Sequence, residues 1–394
     1  MAAHPEARLF GLGLPENGEI VKVARSLAFH GTFADPFGGG PTGETAHIAP
    51  AYALLLAAYI KAFGTGWGAQ IGLGAITVGF FALQLALLPW ISDSLGLGWG
   101  IGAIAAALGA VSAHVSLDGS WEQYFAGLLL LLTFALTART KSAPRAVLIG
   151  LLWGVLILTN PVFVLLLAAR PFILWPRENF RRKFAATLVA TALVVTPWII
   201  RDYARFGAVI FVRDNLGLEL AVANNPCAMP DLHSAEDSGC FNQYHPNANP
   251  EVARELAAQG EYALNQKLLR QSLAWIDGNR RRFAALTAQR VRAFWFPTLV
   301  RRWEQPLVWS VTVLAFAGLA LLWRRQTRIG VLIAVTWVLY PAIYYLVAAE
   351  PRYAYPIVWT LLLPAGAALR AVAERLQIAK LFPNFPTSLP NIAE

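Results

Sequence analysis

Charge is what this chain has least of. Of its 394 residues 14% are Asp, Glu, Lys or Arg, and 57% are hydrophobic. A soluble domain carries about 25% charged residues, so the composition excludes an ordinary water-facing protein and defines an integral membrane protein. Acids are scarcer than bases, 23 against 32, which leaves a net charge of +9. Nucleic acid is excluded as the partner, because the basic residues fall in short clusters between apolar runs. That is the pattern of loops at a membrane face, which also meet anionic lipid. Cysteine is nearly absent. Cys227 and Cys240 lie 13 positions apart in one polar segment. They could form a disulfide if that segment faces an oxidising compartment, although spacing alone does not supply the geometry. His233 and His245 are near them, but the spacing matches no common tetrahedral zinc pattern. No cofactor is expected, and nothing in the sequence argues against a divalent ion. A phosphate-binding P-loop, G-x-S-x-G and H-E-x-x-H are all missing. Ionisable groups are almost missing from the apolar runs. An ion-coupled pump would place carboxylates at mid-membrane.

What the chain does have is apolar runs of spanning length, about 20 residues each. They fall near 69–91, 98–116, 121–138, 184–200, 306–323, 329–348 and 355–372. A further apolar stretch, Ala146 to Trp175, is too long for one crossing and is broken at Thr159-Asn160-Pro161, because proline stops a helix. Two short helices that turn back there bring the count to nine. Basic clusters at Arg139, Lys141 and Arg145, at Arg177, Arg181, Arg182 and Lys183, at Arg324, Arg325 and Arg328, and at Arg370, Arg375 and Lys380 then share one side. The positive-inside rule makes that side the cytoplasm. The expected organisation is a first outer loop with interfacial helices (1–66), a transmembrane bundle (67–200), an outer loop domain (201–304), C-terminal transmembrane helices (305–380) and a cytoplasmic tail (381–394). No apolar run precedes residue 15, and no signal peptide is visible. Either a helix ahead of the first loop is missing upstream or the orientation is reversed, and the missing helix is the favoured expectation.

The outer segments hold the polar chemistry. In "PENGEIVKVARSLAFH" the apolar positions Ile20, Val23, Ala24 and Leu27 form one helical stripe. Asn17 is the expected N-cap, with Glu19 in the first turn. Glu16 and Glu19 are three apart and share a face. Such acids also serve simply to stabilise a helix N-terminus. A Gly- and Pro-rich loop and a second helix, "APAYALLLAAYIKAFG", follow. In "EPRYAYP", Arg352 stands between spans with Tyr353 and Tyr355. This reads either as an aromatic belt with a snorkelling arginine or as a phosphate site, since guanidinium grips phosphate bidentately. Residues 253–295 read as one or two helices, made basic by Arg280, Arg281, Arg282, Arg290 and Arg292. Asp118 and Glu122 in "SLDGSWEQYFAG" read first as helix-start acids.

Taken in order, "GEIVKVARSLAFHGTFADPF", "PTGETAHIAPAYALLLAAYIKAFG", "LLWGVLILTNPVFVLLLAARP", "TPWIIRDYARFGAVIFVRDNLGLELAVANNP" with "HPNANPEVARELAAQGE" and "FAALTAQRVRAFWFP", and "EPRYAYPIVWTLLLPAG" resemble the GT-C superfamily of membrane glycosyltransferases. The similarity is to the family 39-like branch, related to protein O-mannosyltransferases and lipid A aminoarabinose transferases. It covers most of the chain, with no single decisive motif. It implies an all-α polytopic membrane protein, a GT-C-like bundle of about nine transmembrane helices with outer loop helices, lacking the first helix. It also implies a polyprenyl-phosphate sugar donor, an acceptor lipid, glycan or protein, membrane lipids as surroundings and an extracytoplasmic site.

In that family the first outer loop carries the catalytic acid, often an aspartate with an aromatic four residues on. Glu16 occupies that place, with Ile20 in the aromatic position, whereas relatives nearer to this sequence carry a glutamate where Glu19 stands. The expected base is therefore Glu19, with Glu16 second; Glu44, where many relatives are uncharged, reads either as a local feature of this chain or as an extra site acid. The expected donor phosphate ligands are Arg352, Lys61 and Arg292, and the expected lipid groove is Tyr353, Tyr355 and Trp198. The reaction implied is inverting transfer to an acceptor hydroxyl. The competing readings are a lipid or polysaccharide transporter, which would show mid-span polar residues and internal repeats, and a truncated, non-catalytic relative.

Overall fold

A computed structural model describes residues 18–38, 40–112, 121–139, 143–174, 179–298 and 304–376. Glu16, Asn17, Asp118 and the 381–394 tail lie outside the described residues. Within them the fold is helical, with seventeen α-helices and two isolated bridges in place of any strand.

Each of the nine apolar segments read from the sequence coincides with a helix. Five reach spanning length: α3 (Trp67–Ser94), α8 (Phe180–Phe206), α15 (Gln305–Arg325), Thr327–Tyr345, which contains α16 (Thr327–Leu339), and Pro351–Arg375, which contains α17 (Val358–Arg375). Four are shorter: α4 (Trp99–Val111), α5 (Trp121–Ala138), α6 (Ala143–Thr159) and α7 (Val164–Leu174). The break at Pro161 is a 3-10 turn, Pro161–Phe163, and Asn160 caps it by accepting from the Val162 N–H at 3.2 Å. Beyond it the two helices take different neighbours. α6 packs on α8 and α5, and α7 packs on α16.

Packing in the bundle depends on small residues, which let backbones approach where lipid supplies no hydrophobic drive. On α6, Gly150 and Gly154 face α8, where a Cβ would collide with the Thr187 carbonyl and the Val194 side chain. Two hydroxyls cross the same seam, Thr187 to the Ala146 carbonyl and Thr191 to the Gly150 carbonyl, each at 3.0 Å.

The first polar segment folds as α1 (Glu19–His30) and α2 (Pro50–Phe63). The cap position falls on Gly18, one residue beyond the expected Asn17, so Glu19 opens the first turn. The apolar stripe turns inward as the 3.6-residue period requires, with Ile20 and Leu27 partly buried at its ends. Val23 and Ala24 are sealed, and Ala24 with Val21 meets Tyr52, Leu56 and Ile60 of α2. Each sealed valine contributes about 1.5–3 kcal/mol. α1 is thus fixed against α2, with its N-terminus free to face inward.

The long polar segment forms a cap of α9 (Leu216–Ala223), α10 (Leu232–Asp237), α11 (Phe241–Tyr244), α12 (Pro250–Gln259), α13 (Glu261–Gly278) and α14 (Arg280–Trp295). Residues 253–295 therefore hold three helices where the periodicity suggested one or two, because Gly260 (φ 84°) and Asn279 interrupt them. Cys227 and Cys240 form a disulfide. The cap is tied to the bundle by a bridge between Asp231 and Ala349, and by Arg290. Fully buried, Arg290 donates to the Ala223 carbonyl and the Asn224 side chain at the end of α9, and to the Leu346 carbonyl.

Candidate active site

Between α1, the cap and the 343–353 segment lies a cavity of about 760 Å³. Glu19 reaches it from the first turn of α1. The loop after α1 is set by Gly31, whose left-handed conformation (φ 73°) ends the helix, and by Asp35, whose carboxylate accepts from the Thr42 and Gly43 N–H groups at 2.8 and 2.9 Å. A bridge between Ala34 and Glu44 closes this loop and delivers His47 back to α1.

Three groups converge on the Glu19 carboxylate. His47 Nε2 lies 3.0 Å from Oε2. His245 Nε2 lies 3.2 Å from Oε1, and the Asn247 amide donates to the same oxygen at 2.9 Å. His245 Nδ1 accepts from the Asn247 N–H at 3.2 Å, which places the ring proton on Nε2, facing Glu19. Asn247 is held in turn by the Gly38 N–H (2.9 Å) and the Lys22 ammonium (3.2 Å). Phe37 stands edge-on to both imidazoles.

Burial by itself would raise the Glu19 pKa, but His47 and His245 outweigh it and hold the carboxyl well below its ordinary range. Burial and Arg213 push His47 down, yet the adjacent Glu19 carries it above its usual value. Both shifts favour an ionised carboxylate beside a protonated imidazole. Behind it burial pushes Glu261 up to about 7 and Asp214 up to about 6.

The facing wall carries Arg213 and Arg352. Arg213 Nε donates to the His47 carbonyl at 3.1 Å. Arg352 is half exposed, 4.0 Å from the Glu350 carboxylate and beside the Tyr353 ring. Tyr353 stacks on Tyr344 at 4.4 Å, and the Tyr344 hydroxyl accepts from the Asn160 amide at 2.8 Å. Glu122, Glu219 and Glu236 also line the cavity, alongside apolar groups from Leu73, Val164, Leu165 and Val347.

Of the residues singled out by sequence, Glu19, Arg352 and Tyr353 share this cavity. Lys61, in the last turn of α2, and Arg292, on α14, are exposed and stand outside its lining. Trp198 packs against Phe33 and donates to the Val212 carbonyl at 3.2 Å. Tyr355 is buried in a stack with Tyr124 at 5.3 Å. Glu44 pairs with Arg205 at the surface, at 3.2 Å. His47, Asn247, Arg213 and Glu219 are site residues that sequence reasoning did not single out for this site. His245 drew notice only for its nearness to the cysteines.

Among the described residues no three His, Cys, Asp or Glu side chains are grouped to hold a metal ion. Around Glu19 the two ring nitrogens meet carboxylate oxygens at hydrogen-bonding distance, as donors on an acceptor rather than as ligands about a common centre.

No known family pattern and no curated protein matches the sequence. Solved structures do resemble it, and the likeness is one of fold, a polytopic helical membrane architecture. The archaeal oligosaccharyltransferase AglB from Archaeoglobus fulgidus, in complex with an inhibitory peptide and a dolichol-phosphate, superposes with a TM-score of 0.52 and 14% identity over 97% of this chain. A second Archaeoglobus fulgidus oligosaccharyltransferase structure, a complex with Zn and sulfate, gives 0.50 and 14% over 94%. The chain spans about half the length of these neighbours, 49% and 47%. ArnT from Cupriavidus metallidurans bound to undecaprenyl phosphate gives 15% identity, covers 95% of this chain and 77% of its own, and has a TM-score of 0.39, too low to carry an argument.

Proposed function

We propose that the protein is a membrane glycosyltransferase that moves a sugar from a polyprenyl-phosphate donor to an acceptor hydroxyl at the extracytoplasmic face. The observation that carries this reading is that Glu19 and two guanidiniums, Arg213 and Arg352, line one cavity beside apolar groups. The fold shared with an oligosaccharyltransferase in complex with a dolichol-phosphate supports it. The basic clusters on the opposite loops support the orientation.

In this mechanism the acceptor oxygen attacks the anomeric carbon opposite the phosphate. The bond from that carbon to the phosphate oxygen breaks with its electron pair, polyprenyl phosphate leaves, and the configuration inverts. Arg213 and Arg352 stabilise the charge that grows on the phosphate. The acceptor proton passes to Glu19. A carboxylate so strongly stabilised is a weak base, so it takes the proton late, after the forming C–O bond has made the hydroxyl acidic. Until then it orients the nucleophile, which replaces one of the three donors now on Glu19.

The test is release and transfer of labelled sugar from a polyprenyl-phosphate donor by the full chain in proteoliposomes. Glu19→Gln should lower kcat by about 10²–10⁴-fold. Normal turnover in that variant removes the base assignment. Absence of transfer by the unaltered chain with lipid, glycan and peptide acceptors refutes the enzyme reading.

A further inference from the structure

His47 reaches Glu19 from a loop with no helical or strand ladder of its own, so something must hold that loop. Its backbone is tied residue by residue. The Thr45 hydroxyl donates to the Glu261 carboxylate, and the Ala46 N–H donates to the other oxygen of that carboxylate at 2.6 Å. The Thr45 carbonyl accepts from Arg201 at 2.8 Å and the Ala46 carbonyl from the Asp214 N–H at 2.8 Å. The His47 N–H returns to the Thr45 hydroxyl oxygen at 2.9 Å. Thr45, Ala46 and His47 are all sealed from solvent. Glu261 thus takes two of the three polar hydrogens of residues 45–46, the Thr45 N–H going to the Phe33 carbonyl at 3.1 Å, and the oxygen it fixes on Thr45 fixes His47.

We propose that Glu261, the first residue of α13, is a positioning residue: it clamps residues 45–46 so that the His47 ring meets Glu19. The inference rests on the reading of Glu19 as the acceptor-activating carboxylate. Glu261 itself lies outside the cavity lining, so it acts through His47 and touches no reacting atom. A carboxylate suits the task better than an amide, because two donors converge on it and it accepts on both oxygens. Its place in the first turn of α13 favours the negative charge, against the burial and the neighbouring Asp214 that oppose it. The clamp also joins the two polar segments, since α13 belongs to the cap and residues 45–46 to the first loop. Docking of the cap and assembly of the Glu19 pair become one event.

The test separates clamp from charge. Glu261→Gln removes the charge but keeps an acceptor for the Ala46 N–H, whereas Glu261→Ala removes both. In the full chain in proteoliposomes, Glu261→Ala should lower kcat by about 10²-fold, the cost of a displacement of about 1 Å, with KM for the donor unchanged. Glu261→Gln should recover most of that loss. The second readout is the His47 titration in ¹⁵N-histidine-labelled protein, which needs no substrate. The charged groups around that ring are Glu19, Arg213, Glu261 and Asp214, so losing the Glu261 charge lowers its midpoint in both variants. Losing the contact with Glu19 lowers it further in Glu261→Ala alone. Equal kcat losses or equal midpoint shifts in the two variants would overturn the proposal, because charge alone would then account for them. If Glu261→Ala does not fold, Thr45→Val breaks the same clamp and Thr45→Ser restores it; matching behaviour of those two overturns the proposal equally. An unaltered chain that transfers no sugar refutes the enzyme reading, while the midpoint comparison still decides the clamp.

Discussion

Replacing Glu19 by Gln should lower the pH at which His47 loses its proton. In the native site the two influences that raise the His47 pKa most are the charge of Glu19 and the hydrogen bond to it, and Glu261 adds a smaller push. Burial and Arg213 act the other way. Glu19→Gln keeps the shape but deletes the charge, leaving the opposing influences in command. The midpoint should then fall below the ordinary histidine value of about 6.5. An opposite charge within about 4–6 Å moves a titration by about 1–3 pH units, and one unit is 1.36 kcal/mol. At 3.0 Å, and largely sealed from water, the pairing is therefore worth about 1.4–4 kcal/mol. The sign of its pH dependence follows from linkage. Glu19, lowered on folding, stabilises above the ordinary carboxylate pKa, and that contribution is lost as pH falls through the lowered value. His47, raised on folding, stabilises fully below about 6.5, and that contribution is lost as pH rises through the raised value. The unaltered protein should therefore lose Tm from neutral to alkaline pH more steeply than Glu19→Gln. The direct assay is the histidine titration by NMR. The chain has six histidines, and the His47 signal is assigned by its loss in His47→Gln. A His47 midpoint that stays above about 6.5 in Glu19→Gln would refute the electrostatic account of the site.

Arg213→Ala and Arg352→Ala should each weaken binding of a polyprenyl phosphate by about 1.5–3 kcal/mol, the worth of a hydrogen bond to a charged group; unchanged affinity by calorimetry or fluorescence removes either residue from the phosphate role. Glu122 interacts with both of those guanidiniums and competes with phosphate for them, so Glu122→Gln should tighten the same lipid, and weaker binding would count against that wall as the anion site. Replacing Cys227 and Cys240 by Ser opens a loop with a sequence separation of 13 and should cost about 2–4 kcal/mol, read as a lower Tm that reductant no longer changes. A Cβ on Gly318 would strike the Pro364 backbone of α17, so Gly318→Ala should lose about 1–3 kcal/mol, with a Tm equal to that of the unaltered protein as the contrary result.

The membrane core was legible in sequence because it depends on composition. A run such as 306–323 can be read without knowing its neighbours, and it becomes α15. Punctuation was legible for the same reason: Pro161 removes a donor and blocks a helix wherever it stands, and α6 ends just before it. What could not be read was which helix packs on which. The Gly150 and Gly154 pair carries that information for α6 and α8, at the four-residue spacing known to bring transmembrane helices close. In a chain with 31 glycines, one such pair does not stand out.

The site divides along the same physical line. Glu19 was legible because its helix is local: a short stripe of apolar residues fixes the face, and the first turn fixes the acid. Arg352 was legible because charge between two spans is conspicuous. His47, His245 and Asn247 converge on Glu19 from sequence distances of 28, 226 and 228 residues, and no local pattern links them. Their polarity alone is as well explained by an exposed loop. Lys61 illustrates the converse. It has the right charge at a helix end and stands in the first polar segment, yet the period that turns Leu56 and Ile60 into the core leaves its own direction outward. Whether burial or pairing governs Glu19 is likewise decided by groups far away in sequence. Burial alone raises the pKa, and only the two histidines delivered by the loop and the cap reverse it. The charge state of the proposed base is therefore a property of tertiary assembly. The lowered pKa requires both the loop that brings His47 and the cap that brings His245 to α1, which couples the folding of the polar segments to the chemistry they enclose.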